Sequence, residues 1–188
     1  MNTRWSILLT ALLGVSCSTK NKNSALVITK VVLGTATTDP GPPVTTTCAY
    51  DTGSVEFDFA QIDPAANTGG TMGVVVQNNL IDPSTLNGGL RTNSATFHAH
   101  QAVADYEVIG GSTVTQQLIP VAGSVATGTS GALLVPFFSP IPATMLSGII
   151  RVSFWIEGTL DDGSTVRTSQ REYIFVTCST SGCNSACL

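Results

Sequence analysis

An all-β sandwich is the fold class this sequence predicts, and three observations predict it. After residue 25, no window places apolar residues at helical spacing for three turns. Segments with period-two alternation recur instead, separated by turn-forming pairs. Charged residues make up only 11% of the chain, against roughly 25% in an average domain. The polar surface must therefore come largely from Ser, Thr, Asn, Gln and Gly, which suit sheet faces and turns better than charge-laced helices.

The elements follow in order. Leu26 to Leu33 is a β-branched run. A Pro- and Thr-rich link, Asp39 to Thr47, leads to Ser54–Phe59, where alternation predicts Val55, Phe57 and Phe59 inward. Met72–Gln77, His98–Ala104, Tyr106–Ile109, Thr113–Ile119 and Ala132–Phe137 are further strands, and Ile150–Leu160 and Val166–Cys178 close the set. Asp63-Pro64, Gly69-Gly70, Asp82-Pro83, Gly88-Gly89, Gly110-Gly111 and Asp162-Gly163 punctuate them. Seven or eight short strands in one domain fit a sandwich of the immunoglobulin or fibronectin III type, with a barrel or jelly roll as competitor.

The last hairpin permits a register prediction. Val152, Phe154 and Ile156 form one inward face, and Ile174, Val176 and Cys178 read as the next. A three-residue loop Asp161-Asp162-Gly163, with Gly163 left-handed as a bulge, pairs even positions with even. It sets Glu157 opposite Arg167. The same register turns Gln170 and Glu172 inward unless a second bulge intervenes.

Residues 1–17 read MNTRWSILLTALLGVSC. Arg4 supplies a positive n-region, Trp5 to Leu13 an apolar stretch, and Gly14-Val15-Ser16 a small-residue site before Cys17. The run is far short of the ~20 residues of a spanning helix and reads as a secretory signal. Its end resembles the lipobox of bacterial lipoproteins, although Gly14 stands where that family usually has Leu. The resemblance implies cleavage after Ser16, acylation of Cys17, and, with Ser18 following, an outer-membrane address. Membrane contact is then through the lipid anchor. The expected organisation is signal peptide 1–16, lipidated Cys17 and polar tether 17–25, and a single sandwich domain 26–188.

Cysteine arithmetic agrees. Five cysteines are odd for an oxidising compartment, and lipid on Cys17 leaves Cys48, Cys178, Cys183 and Cys187 to pair. A Cys48–Cys178 bridge with Cys183–Cys187 would tie the first third of the domain to its end, worth about 4–5 kcal/mol in the chain-entropy model. Cys48–Cys183 and Cys48–Cys187 are the other pairings. A thiolate metal site competes poorly, because exported thiols oxidise and the spacing is not that of a zinc ribbon.

Net charge is −4, and loss of Arg4 with the leader leaves seven basic residues against twelve acidic, −5. No basic stripe exists for a phosphate backbone, so nucleic acid is not an expected partner. His98 and His100 are the metal candidates, since His-x-His on a strand shares one face, with Asp105 or Glu107 to complete a set. Two ligands are not a site, however, and ordinary solvent-facing polar positions account for the pair better. Trp155, with Ser153 and Glu157, falls on the outer face, as a candidate ligand or carbohydrate contact or as a ring covered by a neighbouring loop. Leu134 to Pro142 is an apolar stretch that reads as a strand and packed crossover or as an exposed patch. No Gly-x-Ser-x-Gly elbow or calcium loop is present, and the Gly-Gly pairs precede no helix.

Gly73-Val74-Val75-Val76-Gln77-Asn78-Asn79-Leu80, followed by Gly89-Leu90-Arg91-Thr92-Asn93, resembles a pattern in uncharacterised surface lipoproteins of myxobacteria. The resemblance covers a small part of the chain and implies address and fold only. Asn78, Asn79 and Asn93 are expected to cap turns through bonds to their own backbone. The function expected is a lipid-anchored envelope protein, structural or protein-interacting, without catalysis or cofactor. A carbohydrate or small-ligand binder is the alternative, and an envelope hydrolase the third. The partners expected beyond the membrane are an envelope protein or a glycan.

Overall fold

The computed structural model describes residues 25–56, 58–62, 70–81, 95–111, 114–138 and 148–178. Eleven strands occupy them: β1 (Leu26–Val32), β2 (Thr35–Asp39), β3 (Thr45–Ala49), β4 (Phe59–Ile62), β5 (Thr71–Asn78), β6 (Phe97–Val108), β7 (Val114–Val125), β8 (Ser130–Pro136), β9 (Ile149–Leu160), β10 (Thr165–Arg167) and β11 (Arg171–Thr177). Two sheets face each other, β1-β5-β8 and β4-β11-β9-β6-β7, with β10 paired to β9. The seven strands β1, β5, β6, β7, β8, β9 and β11 have the three-against-four connectivity of fibronectin III domains. The expected sandwich is what forms.

Alternation explains which side chains meet. Met72, Val74, Val76, Leu133 and Val135 of the smaller sheet bury against Phe97, Ala102, Ala104, Tyr106, Ile150, Val152, Phe154 and Ile156 of the larger. Phe137 and Phe138, just past β8, fold into this core, both 0% exposed. They stack edge-on against Phe154, Tyr106 and Phe175, with centroids 4.6–5.4 Å apart. The first part of the apolar stretch Leu134–Pro142 is thus strand and crossover, and residues 139–142 lie outside the described residues. Tyr106 donates its buried hydroxyl to the Phe137 carbonyl. Burial pushes this phenol well above the usual tyrosine range, so it stays a neutral donor.

The β9–β10 hairpin forms as read. Gly163 sits at φ +82°, the Gly163 N–H reaches the Leu160 carbonyl at 2.8 Å, and Glu157 faces Arg167. The inward face of β11 differs from expectation. Tyr173 and Phe175 are buried and pair with Val152 and Ile150, whereas Ile174 and Val176 turn outward and Cys178 follows the strand. The cause is a break at Thr168–Gln170, which shifts the pairing with β9 by one residue between β10 and β11. It keeps Gln170 and Glu172 in solvent.

Two further expectations need correction. The strand expected at Ser54–Phe59 lies at 59–62, with Ala60 and Ile62 inward, while Val55 is 71% and Phe59 50% exposed. β4 runs parallel to β11 and sets Phe59 beside the outward Ile174, so its alternation is opposite to that read; Phe57 lies outside the described residues. The Thr-rich link is also no mere link. Its two ends pair as the hairpin β2–β3, with Thr37 opposite Thr47, and neither strand pairs with any other.

β1 crosses the smaller sheet from Leu26, opposite Asn78, to Val32, opposite Gly73. The chain therefore enters at one pole, and the hairpin starts at the other. Between hairpin and β4, the chain covers the outer face of this sheet at Tyr50 and reaches the free edge of β1 at Glu56. Lys30 Nζ donates to the Ser54 carbonyl at 2.6 Å, and Glu56 pairs with Val32 through an isolated antiparallel backbone β-bridge. A Cβ on Gly73 would meet Val32 Cγ2 at 2.7 Å and Tyr50 Cβ at 3.0 Å, so glycine lets that cover approach.

Candidate functional site

The open outer face of the larger sheet carries the candidate side chains. β6 bulges at His100, where pairing with both neighbours shifts between Ala99 and Gln101. The extra residue keeps His98 on the outer face before the bulge and Gln101 and Val103 on it afterwards. His98 Nε2 lies 2.6 Å from Asp161 Oδ1. Asp161 Oδ2 also receives the Thr96 N–H at 3.3 Å, so the β9–β10 loop clamps the start of β6. His100 Nε2 lies 2.9 Å from Thr159 Oγ1.

The two histidines thus answer to different partners. Asp105 and Glu107, read as completing ligands, are engaged elsewhere: Asp105 accepts Gln116 Nε2 at 2.7 Å, and Glu107 pairs with Arg151 at 3.4 Å. Among the described residues, no three His, Cys, Asp or Glu side chains form a group that could hold a metal ion. The reason is distance along the strand: Asp105 and Glu107 lie beyond the bulge, while the loop aspartate arrives across the sheet. Sequence reasoning missed Asp161 as the His98 partner. The contact depends on β9 lying beside β6, which local alternation and loop length do not reveal.

Trp155 is half-buried. Its indole N–H donates to Glu157 Oε1 at 2.9 Å, and the Arg167 guanidinium carbon stands 5.8 Å from the ring centroid. Gln101 Nε2 donates to the other oxygen, Glu157 Oε2, at 2.9 Å. The Trp155 and Gln101 hydrogen bonds, aided by the Arg167 charge, hold the Glu157 carboxyl below the ordinary carboxylate range. The indole N–H, the glutamate and the cation thus satisfy one another, which suits a positioned face more than a reactive acid.

Cys48 and Cys178 each take part in a disulfide. Cys48 lies on β3, and Cys178 follows β11 with its N–H on the Ile62 carbonyl at 3.0 Å, so the Cys178 link is made at the pole away from the chain's entry. Cys17, Cys183 and Cys187 lie outside the described residues, as does the Gly89–Asn93 segment. Asn78 is fully buried and does more than cap. Its Oδ1 accepts the Leu80 N–H at 3.0 Å, the expected bond to its own turn. Its Nδ2 donates to the Ala95 and Val125 carbonyls at 2.8 and 3.0 Å, joining the ends of three strands.

No family model, curated protein or solved structure matches this chain. No helix among the described residues is long and apolar enough to cross a membrane.

Proposed function

We propose that this chain is an exported lipoprotein, anchored through Cys17 to the bacterial outer membrane, whose sandwich serves as a structural or protein-interaction module of the envelope and not as an enzyme. The observation that carries the reading is polar. The tether joins at Ala25, whose carbonyl accepts the Asn79 N–H at 2.8 Å, at the pole opposite the β2–β3 hairpin. At that far pole Ile109 and Ile149 are 46% and 43% exposed, and the Ile109 N–H bonds the Ile149 carbonyl at 2.8 Å. An eight-residue spacer, up to ~25–30 Å when extended, would lift the entry pole off the lipid and present the far end to an envelope protein or glycan.

In this reading the four remaining cysteines form two disulfides, with Cys48–Cys178 and Cys183–Cys187 as the favoured pairing. Intact-mass analysis of chain extracted from membranes tests both parts. Expected are loss of residues 1–16, an added acyl mass, no alkylatable thiol, and release of the chain into the soluble fraction by Cys17→Ser. A freely soluble wild-type chain with an alkylatable Cys17 would refute the proposal.

A further inference from the structure

We infer that β7 is a self-association edge, through which two copies of this chain join their larger sheets into one. β7 ends the order β4-β11-β9-β6-β7, and among the described residues no backbone hydrogen bond joins it to any strand but β6. Among the described residues, one side of a twelve-residue strand is therefore left without a backbone partner, the Val125 carbonyl alone taking a side-chain bond, from Asn78. The turn 126–129 then carries the chain from this edge to β8, the edge of the other sheet. Both free edges run along the same side of the sandwich.

Exposed edges of this length are ordinarily guarded by charge, above all lysine. The stretch Thr115–Ile119 carries no such charge, and Pro120 guards only the part of the strand beyond it. From Val108 to Ile150 the sequence holds no Asp, Glu, Lys, Arg or His, while Leu118 on β7 is 64% and Leu134 on β8 47% exposed. The same absence selects the occupant. Two copies of a charged strand meeting across a two-fold axis bring like charges together, whereas β7 meets itself without that repulsion in any antiparallel register. Pro120 and the irregularity at 121–123 interrupt the strand, so the usable stretch is Thr115–Ile119, in the half farther from the tether. Antiparallel pairing there sends the two entry poles in opposite directions. If Cys17 is acylated, the partners therefore stand on facing membrane surfaces. The pairing itself does not depend on the anchor.

Light scattering of the full chain in mild detergent, over a concentration series into the hundred-micromolar range, tests this. The wild type is expected to reach a dimer mass, and Leu118→Lys, which sets two lysines along the shared edge, to weaken dimerisation at least tenfold without lowering the unfolding midpoint. Gln116→Lys, also outward on this edge, provides a second variant should the first fail to fold, and Thr45→Lys on the hairpin serves as control. A wild type that stays monomeric, or a dimer indifferent to both edge lysines, overturns the inference.

Discussion

Thr168 and Ile156 exchange two hydrogen bonds: the Thr168 N–H donates to the Ile156 carbonyl, and Thr168 Oγ1 accepts the Ile156 N–H, each at 2.9 Å. A side-chain oxygen thus replaces a strand carbonyl where β10 gives way to β11. The next residue, Ser169, turns to the other sheet, its N–H on the Leu26 carbonyl at 2.8 Å and its Oγ accepting from Ile28 N–H at 3.0 Å. The register shift and the link between the sheets are one feature. Thr168→Val keeps the shape but leaves the Ile156 N–H without its acceptor. It should cost about 1–3 kcal/mol in chemical denaturation, the penalty of one orphaned buried donor. An unchanged midpoint would mean the bond contributes nothing.

Gly158 sits where β6 bulges against β9. A Cβ there would lie 2.0 Å from the His98 carbonyl oxygen and 2.7 Å from Phe97 Cε2. The first contact is backbone, so no rotamer change relieves it. Gly158→Ala should lower stability by about 3 kcal/mol or more, beyond the usual range for a surface strand. Thermal unfolding would detect it.

These two sites also mark the limits of what could be read from the chain. Val152, Phe154 and Ile156 alternate cleanly, and they bury as read; so does the Gly163 loop, because one glycine and one parity choice define it. The β11 face reversed because the shift at Thr168–Gln170 is made by a threonine hydroxyl, which alternation does not see. Gln170 and Glu172 at would-be core positions were its trace. Val55 and Phe59 alternate equally well, yet pairing with β11, not hydrophobicity, decides the face of β4. The β2–β3 hairpin escaped because an exposed two-stranded ribbon has no buried face to impose a pattern. At the outer face, the strand parity of Trp155 was legible, whereas the Asp161 clamp needed the fold to bring a loop across the sheet.

The Glu157 carboxyl titrates below its ordinary 4.5, through bonds from Trp155 and Gln101 that favour the ionised form. A folded pKa beneath the unfolded one adds stability above the unfolded value, which is lost as pH falls through the lower folded value. Glu157→Gln should therefore lower stability at neutral pH, where the ionised carboxylate contributes, and flatten the acid limb below 4.5, so that variant and wild type converge as pH falls. Trp155 fluorescence should follow the same transition in the wild type and lose it in the variant. A variant whose acid limb matches the wild type would assign that limb to other carboxylates.

The hairpin β2–β3 provides the last test, since it should not hold by itself. Every residue of β2 is exposed, neither strand pairs with the sandwich sheets, and two strands alone are marginal in water. The Cys48 disulfide is thus the feature expected to hold the ribbon's shape. Reduction of the folded protein should release it locally while the sandwich persists, because β6 and β9 are paired on both sides and open only with the global free energy. In hydrogen exchange, the amides of Thr35–Asp39 and Thr45–Ala49 should fall towards the near-zero protection of a free hairpin, with Val103 and Phe154 unchanged. Equal loss in both sets would make the disulfides global staples, and retained hairpin protection after reduction would show that backbone pairing suffices.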